Sequence, residues 1–185
     1  MLKKWYFLLM MTIVYMSVPA YAKQGYFGLR GGISDIHEKE VIDDYVSSGF
    51  GSGYIGFYSG PFRSEIEYTY TSQADYDDKK LDLDAQFQRV MINAYVDAPI
   101  TRYVRPYLGG GVGTAIYSVK NNLTKIKETG NNFAWNATAG LGVKLTRNLT
   151  FDSGYRYVDM GDVELKSDDL NFVSHEVYAG LRFLF

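Results

Sequence analysis

The chain has no cysteine and only two histidines and four prolines in 185 residues. Without cysteine there is no disulfide framework, no thiolate chemistry and no Cys-based metal site. The two histidines, His37 and His175, are far apart in sequence and make no metal-ligand pattern. Past residue 22 no apolar run approaches the roughly 20 residues that a membrane-spanning helix needs. Charge of neither sign dominates: 19 Lys and Arg stand against 21 Asp and Glu, which gives no support to nucleic-acid binding.

What is abundant is aromatic and small: 17 Tyr, 11 Phe and 19 Gly. Tyr and Phe favour strands and collect at membrane interfaces, while Gly lets side chains pack closely inside a narrow barrel. The N-terminus adds a compartment. Lys3 and Lys4 precede an apolar run from Trp5 to Val18, followed by Pro19 and Ala20-Tyr21-Ala22, the layout of a secretory signal peptide with an A-x-A cleavage site. A membrane anchor is the other reading, and the run is short for one. Residues 1–22 are therefore expected to be a cleaved leader and residues 23–185 a single domain of 185 − 22 = 163 residues. Without Lys3 and Lys4 the balance is 17 basic to 21 acidic residues, or −4.

Segment 171–185 carries the clearest pattern. Val177, Ala179, Leu181, Phe183 and Phe185 share one face, and Glu176, Tyr178, Gly180 and Arg182 the other. A final strand that is apolar on one face suits a sheet closed on itself, which leaves no open edge in lipid. Seven more segments show strand character, giving about 25–34, 49–58, 62–71, 86–97, 104–117, 133–145, 149–158 and 172–185. The connections alternate: short at 59–61, 97–103 and 146–148, long at 35–48, 72–85, 118–132 and 159–171. That rhythm predicts an all-β, eight-stranded antiparallel up-and-down transmembrane barrel with short periplasmic turns and four long extracellular loops. A soluble β-sandwich shares the alternation but not the regular connections.

In such a barrel apolar residues face lipid and charged ones face the lumen. The lumen set is Arg30, Arg63, Glu65, Glu67, Arg89, Asp97, Asp152, Arg156, Glu176 and Arg182, joined by Asn93, Arg105 and Lys144. Expected neighbours are Arg63 or Glu65 beside Arg89 across strands three and four, and Asp152 or Arg156 beside Glu176 and Arg182 across seven and eight. An aromatic girdle is expected from Tyr68, Tyr70, Trp135 and Tyr157 near the outer rim and Phe183 near the periplasmic rim. An eight-stranded interior is just wide enough for side chains to fill. A polar core that holds the barrel shut is thus the first reading, and a narrow or gated ion path the second.

Five segments resemble the opacity-type, porin-family small outer-membrane barrels of Gram-negative bacteria: PFRSEIEYTY at 61–70, VRPYLGGGVG at 104–113, AGLGVK at 139–144, GYRY at 154–157 and VYAGLRF at 177–183. The resemblance implies a surface protein acting as adhesin, antigen or envelope component, with no catalytic residues, metal or cofactor. It also implies that the closing strand, ending on Phe185, is the recognition signal for the outer-membrane insertion machinery. Expected partners are outer-membrane lipid and lipopolysaccharide, that machinery, and a host-surface ligand for the loops, with the barrel itself a monomer. A lipid-modifying enzyme is the remote alternative. Its pattern would place a serine two positions after His175, where this chain has Val177. The acidic stretch 75–84 lacks the glycine and closing glutamate of an EF-hand loop and is a solvated charge run. Acidic residues at 38–44 and 162–169, against lysines 120, 125 and 127, suggest divalent-ion bridging to lipopolysaccharide phosphates.

Overall fold

The computed structural model describes residues 24–38, 46–71, 83–121, 127–165 and 168–185, with side chains in 24–35, 47–71, 88–116, 130–161 and 173–185. The expected leader lies outside these residues. So do the side chains of the charged stretches 38–44, 75–84, 120–127 and 162–169.

Eight strands run in chain order: β1 (Gln24–Glu38), β2 (Val46–Ser59), β3 (Phe62–Thr71), β4 (Leu83–Asp97), β5 (Val104–Asn121), β6 (Lys127–Lys144), β7 (Leu149–Leu165) and β8 (Asp168–Leu184). Each pairs antiparallel with its sequence neighbours, and β8 returns to β1, so the sheet is a closed barrel. Closure needs no sequence-distant pairing except this last one, in which Tyr26 faces Leu184 and Ile33 faces Val177. With all eight described strands paired on both sides, none of them leaves a backbone edge to face lipid.

The period-two pattern becomes burial directly. On β3, Arg63, Glu65, Glu67, Thr69 and Thr71 are buried, while Phe62, Ile66, Tyr68 and Tyr70 are exposed. The inside is polar and the outside apolar, with Leu29, Ile33, Leu108 and Val177 among the most exposed side chains. That is the inverted arrangement of a barrel in lipid.

The strands reach further than alternation predicts. β7 and β8 pair through Glu164–Asp169 and Leu165–Asp168, so most of the expected loop 159–171 is a two-stranded ribbon. β5 and β6 likewise pair as far as Lys120 and Lys127. Sequence alternation fades where both faces become wet, but backbone hydrogen bonding does not depend on which side chains the strand carries. The β7–β8 ribbon bends at a register shift between Asp159 and Asp162. There Gly161 adopts φ +70°, and its amide donates to Asp159 Oδ1 at 3.0 Å.

The periplasmic turns are tight. Gly60 takes φ +63° ahead of Pro61 between β2 and β3. Each turn is also tied to the end of a neighbouring strand: the Asp97 amide at the end of β4 to Pro61 O at 2.8 Å, and the Lys144 amide at the end of β6 to Tyr103 O at 2.7 Å.

Candidate functional site

The barrel interior is the densest gathering of chemistry among the described residues. All ten charged residues of the lumen set are buried: five arginines (30, 63, 89, 156, 182) and five carboxylates (65, 67, 97, 152, 176). Each reaches the interior because it sits on the inward parity of its strand.

At the periplasmic end, Asp97 closes β4 and accepts from Arg63 Nε at 3.2 Å and the Tyr58 hydroxyl at 3.1 Å. Arg182 on β8 donates to Asp152 on β7 at 2.7 Å. One layer higher, Glu65 accepts from Arg30 at 2.8 Å, Arg63 at 2.7 Å and Tyr26 at 3.2 Å. Above it Glu67 is a hub. It takes two bonds from Arg156 at 3.2 and 3.0 Å, one from Arg30 at 3.2 Å and one from Asn93 at 2.9 Å, joining β1, β3, β4 and β7 across the lumen. Asn136 extends the network by donating to Asn93 at 2.8 Å.

Arg89 departs from expectation. It pairs with Glu176 on β8, across the barrel, and not with its β3 neighbours. The register explains this: Thr69 is the cross-strand partner of Arg89, whereas Glu65 faces Asn93 further down. Asp152 with Arg182 is the expected contact across β7 and β8, and Arg156 also approaches Glu176 at 3.7 Å. Arg105 and Lys144 face inward but are only half-buried, at the periplasmic mouth.

Toward the outer end the charges thin out to Arg89, one inward position beyond Met91 on β4. Ser34 and Ser174 hydrogen-bond at 2.6 Å on the β1–β8 side, and Met91, Ala115, Ala134, Val158 and Met160 form an apolar cluster on the β4–β7 side. Ser174 therefore points inward, while its neighbour His175 points outward and bonds the Tyr155 hydroxyl. A Ser174–His175 dyad cannot form across the sheet.

Sequence reasoning missed one feature, a set of inward tyrosines. Tyr26, Tyr54, Tyr95, Tyr107 and Tyr178 are buried in the lumen. Each is the direct cross-strand partner of a glycine: Tyr26 of Gly56, Tyr54 of Gly28, Tyr95 of Gly109, Tyr107 of Gly140 and Tyr178 of Gly154. A Cβ at any of these glycines would collide with the ring or hydroxyl of its tyrosine, at 2.6 Å for Gly154 and Tyr178. The missing side chain is the space in which the ring lies. Arginines stack on the same rings, Arg30 on Tyr54 at 4.0 Å and Arg63 on Tyr95 at 4.2 Å. The signal was legible in principle for four of the five, since Tyr26, Tyr95, Tyr107 and Tyr178 share the parity of the charged residues on their strands, whereas β2, which holds Tyr54, has no charged residue. Of the five, only Tyr178 is placed on the polar face by the alternation of the closing segment.

The expected girdle residues Tyr68, Tyr70, Trp135 and Phe183 are exposed on the outer surface, and Tyr157 is half-buried beside Trp135 at 5.5 Å between ring centroids. Phe183 stacks on Phe27 at 5.4 Å. Phe185 is 66% exposed, and its amide donates to Gly25 O at 2.9 Å.

Known proteins share this architecture. Neisserial surface protein A superposes with a TM-score of 0.72 at 20% identity, over 86% of this chain and 96% of that one. Ail, the attachment invasion locus protein of Yersinia pestis, gives 0.52 at 19% identity, over 86% and 98%. In sequence, the outer membrane protein PagN of Salmonella typhimurium is 32% identical over 96 residues, 48% of this chain and 40% of PagN. The opacity protein opA57 of Neisseria gonorrhoeae is 34% identical over 79 residues, 42% and 32% of the two chains. The matches thus span less than half the length of these curated relatives. A family model covers residues 6–183, and with it the closed barrel, inverted polarity and charged lumen place this protein in the bacterial outer membrane as a member of the outer membrane protein beta-barrel domain family.

Proposed function

We propose that this protein is a non-enzymatic surface protein: a rigid, self-sealed barrel whose outer hairpins serve adhesion, host contact or envelope integrity. The observation that carries the reading is the balanced interior, five buried guanidiniums against five buried carboxylates, crossed by contacts that join opposite strands. A lumen so filled favours mechanical closure over passage. Buried charges are retained at a cost of several kcal/mol each unless paired, so the network holds strands together only while it stays intact. Function then falls to the outer connections, because binding residues concentrate on loops positioned by a rigid scaffold.

Lipid and lipopolysaccharide surround the apolar face in this reading, the closing strand directs insertion, and the closed sheet works as a monomer. Loop trimming tests the central claim. Connections 39–45 and 122–126 would be shortened separately in the intact protein on living cells. Binding to host-cell surfaces and leakage of envelope markers would then be compared with the untrimmed barrel. Loss of either phenotype with normal surface levels is expected, and retention of both in each variant would remove the basis for the display reading.

A further inference from the structure

The buried charges sort by height. In the middle and outer lumen, Arg30, Arg89 and Arg156 meet Glu65, Glu67 and Glu176, three cations against three anions. At the periplasmic end Arg63 and Arg182 meet Asp97 and Asp152, two against two, with Arg63 also reaching up to Glu65 at 2.7 Å. Arg105 and Lys144 sit on the same inward parity and leave that end with two surplus cations. Around this mouth, the described turn residues 59–61, 98–103 and 145–148 add exposed Arg102 and Arg147 and no side-chain carboxylate. The turns that carry them adjoin, through the bond between the Lys144 amide and Tyr103 O.

Hydrogen bonding leaves guanidinium donors over along the whole lumen, three of them higher up (Arg30 Nε, Arg89 Nε and Arg156 Nε) and most at the periplasmic end. Four buried guanidinium nitrogens at this end have no partner: Arg63 Nη2, Arg105 Nε, Arg182 Nε and Arg182 Nη1. Arg182 Nη1 lies 3.9 Å from Asp97, beyond hydrogen-bond reach. The unpartnered oxygens at this height are Asp152 Oδ2 and the hydroxyl of Tyr54, which overlies Gly28, the cross-strand partner of Arg182. Arg63 and Arg182 are each about as deeply buried as residues become, at 2% and 1% exposure, so bulk water does not serve them. Water would supply acceptors to these nitrogens and solvate the half-buried Arg105 and Lys144, but it would bring no counter-charge into the layer. A small anion supplies both. Planar guanidinium forks match the paired oxygens of an oxyanion better than a spherical halide.

We propose that the periplasmic mouth of the lumen is a binding site for a phosphate-type oxyanion, held by Arg63, Arg105 and Arg182, with Lys144, Arg102 and Arg147 drawing it in. The phosphate comes either from free inorganic phosphate or from a phospholipid headgroup of the inner leaflet, which lies at the level of this rim. The site is independent of whatever the outer hairpins bind.

The test is ligand-dependent stability of the whole barrel. In maltoside micelles, which contain no phosphate, the urea unfolding midpoint is followed against sodium phosphate and against sodium chloride at matched ionic strength. A saturable rise with phosphate beyond that with chloride is expected. Losing one charge-assisted bond should weaken the apparent affinity about tenfold or more in Arg105→Gln. Lys144→Gln, which loses charge at the same mouth, is a second variant should the first fail to fold. Identical phosphate and chloride curves, or a folded Arg105→Gln that titrates as wild type, would overturn the proposal. Repeating the titration in phosphatidylethanolamine–phosphatidylglycerol nanodiscs identifies the source. An unchanged response to added phosphate assigns the site to the free ion, and a response seen in micelles alone assigns it to the headgroup.

Discussion

Glu67→Gln is the sharpest probe of the interior. Glu67 is fully buried and its two carboxylate oxygens accept from Arg156 twice, from Arg30 and from Asn93, all at 2.9–3.2 Å. Glutamine keeps the shape and removes the charge. Its amide nitrogen would then turn a donor toward groups that are themselves donors. At a charge separation near 4 Å and an effective dielectric near 20, each ion contact is worth about 4 kcal/mol before desolvation is counted. Arg30 keeps Glu65 at 2.8 Å, but Arg156 is left with Glu176 at 3.7 Å, so one guanidinium loses most of its compensation. Breaking one side of a buried pair costs about 3–5 kcal/mol, and that is the expected loss. Urea unfolding in lipid vesicles, read by the fluorescence of Trp135 on the outer surface, measures it. In a cycle with Arg156→Met, the double variant should lose well under the sum of the two single losses, because the second change removes the charge the first one stranded. A Glu67→Gln barrel within about 1 kcal/mol of wild type, together with strict additivity in the cycle, would refute the hub.

Three further expectations are open to measurement. Gly154→Ala places a Cβ 2.6 Å from the Tyr178 hydroxyl and 2.7 Å from Ala139 O and should cost about 1–3 kcal/mol, whereas Gly51→Ala, with nothing within 4 Å, should stay within about 0.5 kcal/mol; unfolding midpoints compare them directly. Trp135→Ala removes an exposed ring paired with Tyr157 at 5.5 Å and should lose at least about 0.5–1.5 kcal/mol, and quenchers attached near the lipid headgroup should quench Trp135 more strongly than quenchers at the bilayer centre. In planar bilayers the wild-type barrel should show no steady conductance steps, and reproducible steps of fixed size would count against a sealed lumen.

Sequence alternation carried the barrel a long way. β3 could be divided into faces from its ten residues alone, because one face bears Arg63, Glu65 and Glu67 and no lipid-facing position tolerates such a run. The interior contacts were less legible. Parity says that Arg89 points inward but not how far it reaches, and its partner Glu176 is 87 residues away in sequence. In a narrow closed barrel a side chain can meet strands on the far wall as easily as its neighbours. The choice then depends on register, which sets the height of each residue. The tyrosine–glycine pairs were hidden for a related reason. Glycine at Gly140 or Gly154 reads as a weak strand former until its partner across the strand is known to be a ring.

The same register shapes what the outer side can present. A tilted strand needs only about 9–11 residues to cross lipid, yet β5 and β6 each have 18 and β7 and β8 each have 17. On β8 the outward face is apolar from Phe185 up to Val177 and turns polar at His175. On β7 the change comes at Asp159, and on β1 at Asp35. Pairing nevertheless continues past these points, through Glu38–Phe172 on the β1–β8 seam and Leu165–Asp168 at the β7–β8 hairpin. The barrel therefore extends as a paired collar beyond the band suited to lipid, and the connecting residues start from ribbons already tied to their neighbours. Ordering a loop against a ligand costs conformational entropy for every residue that was free, about 1–2 kcal/mol each for the backbone alone. Residues within the collar have already lost that freedom on folding. A partner that reads the collar as well as the connections would bind a surface largely ordered in advance.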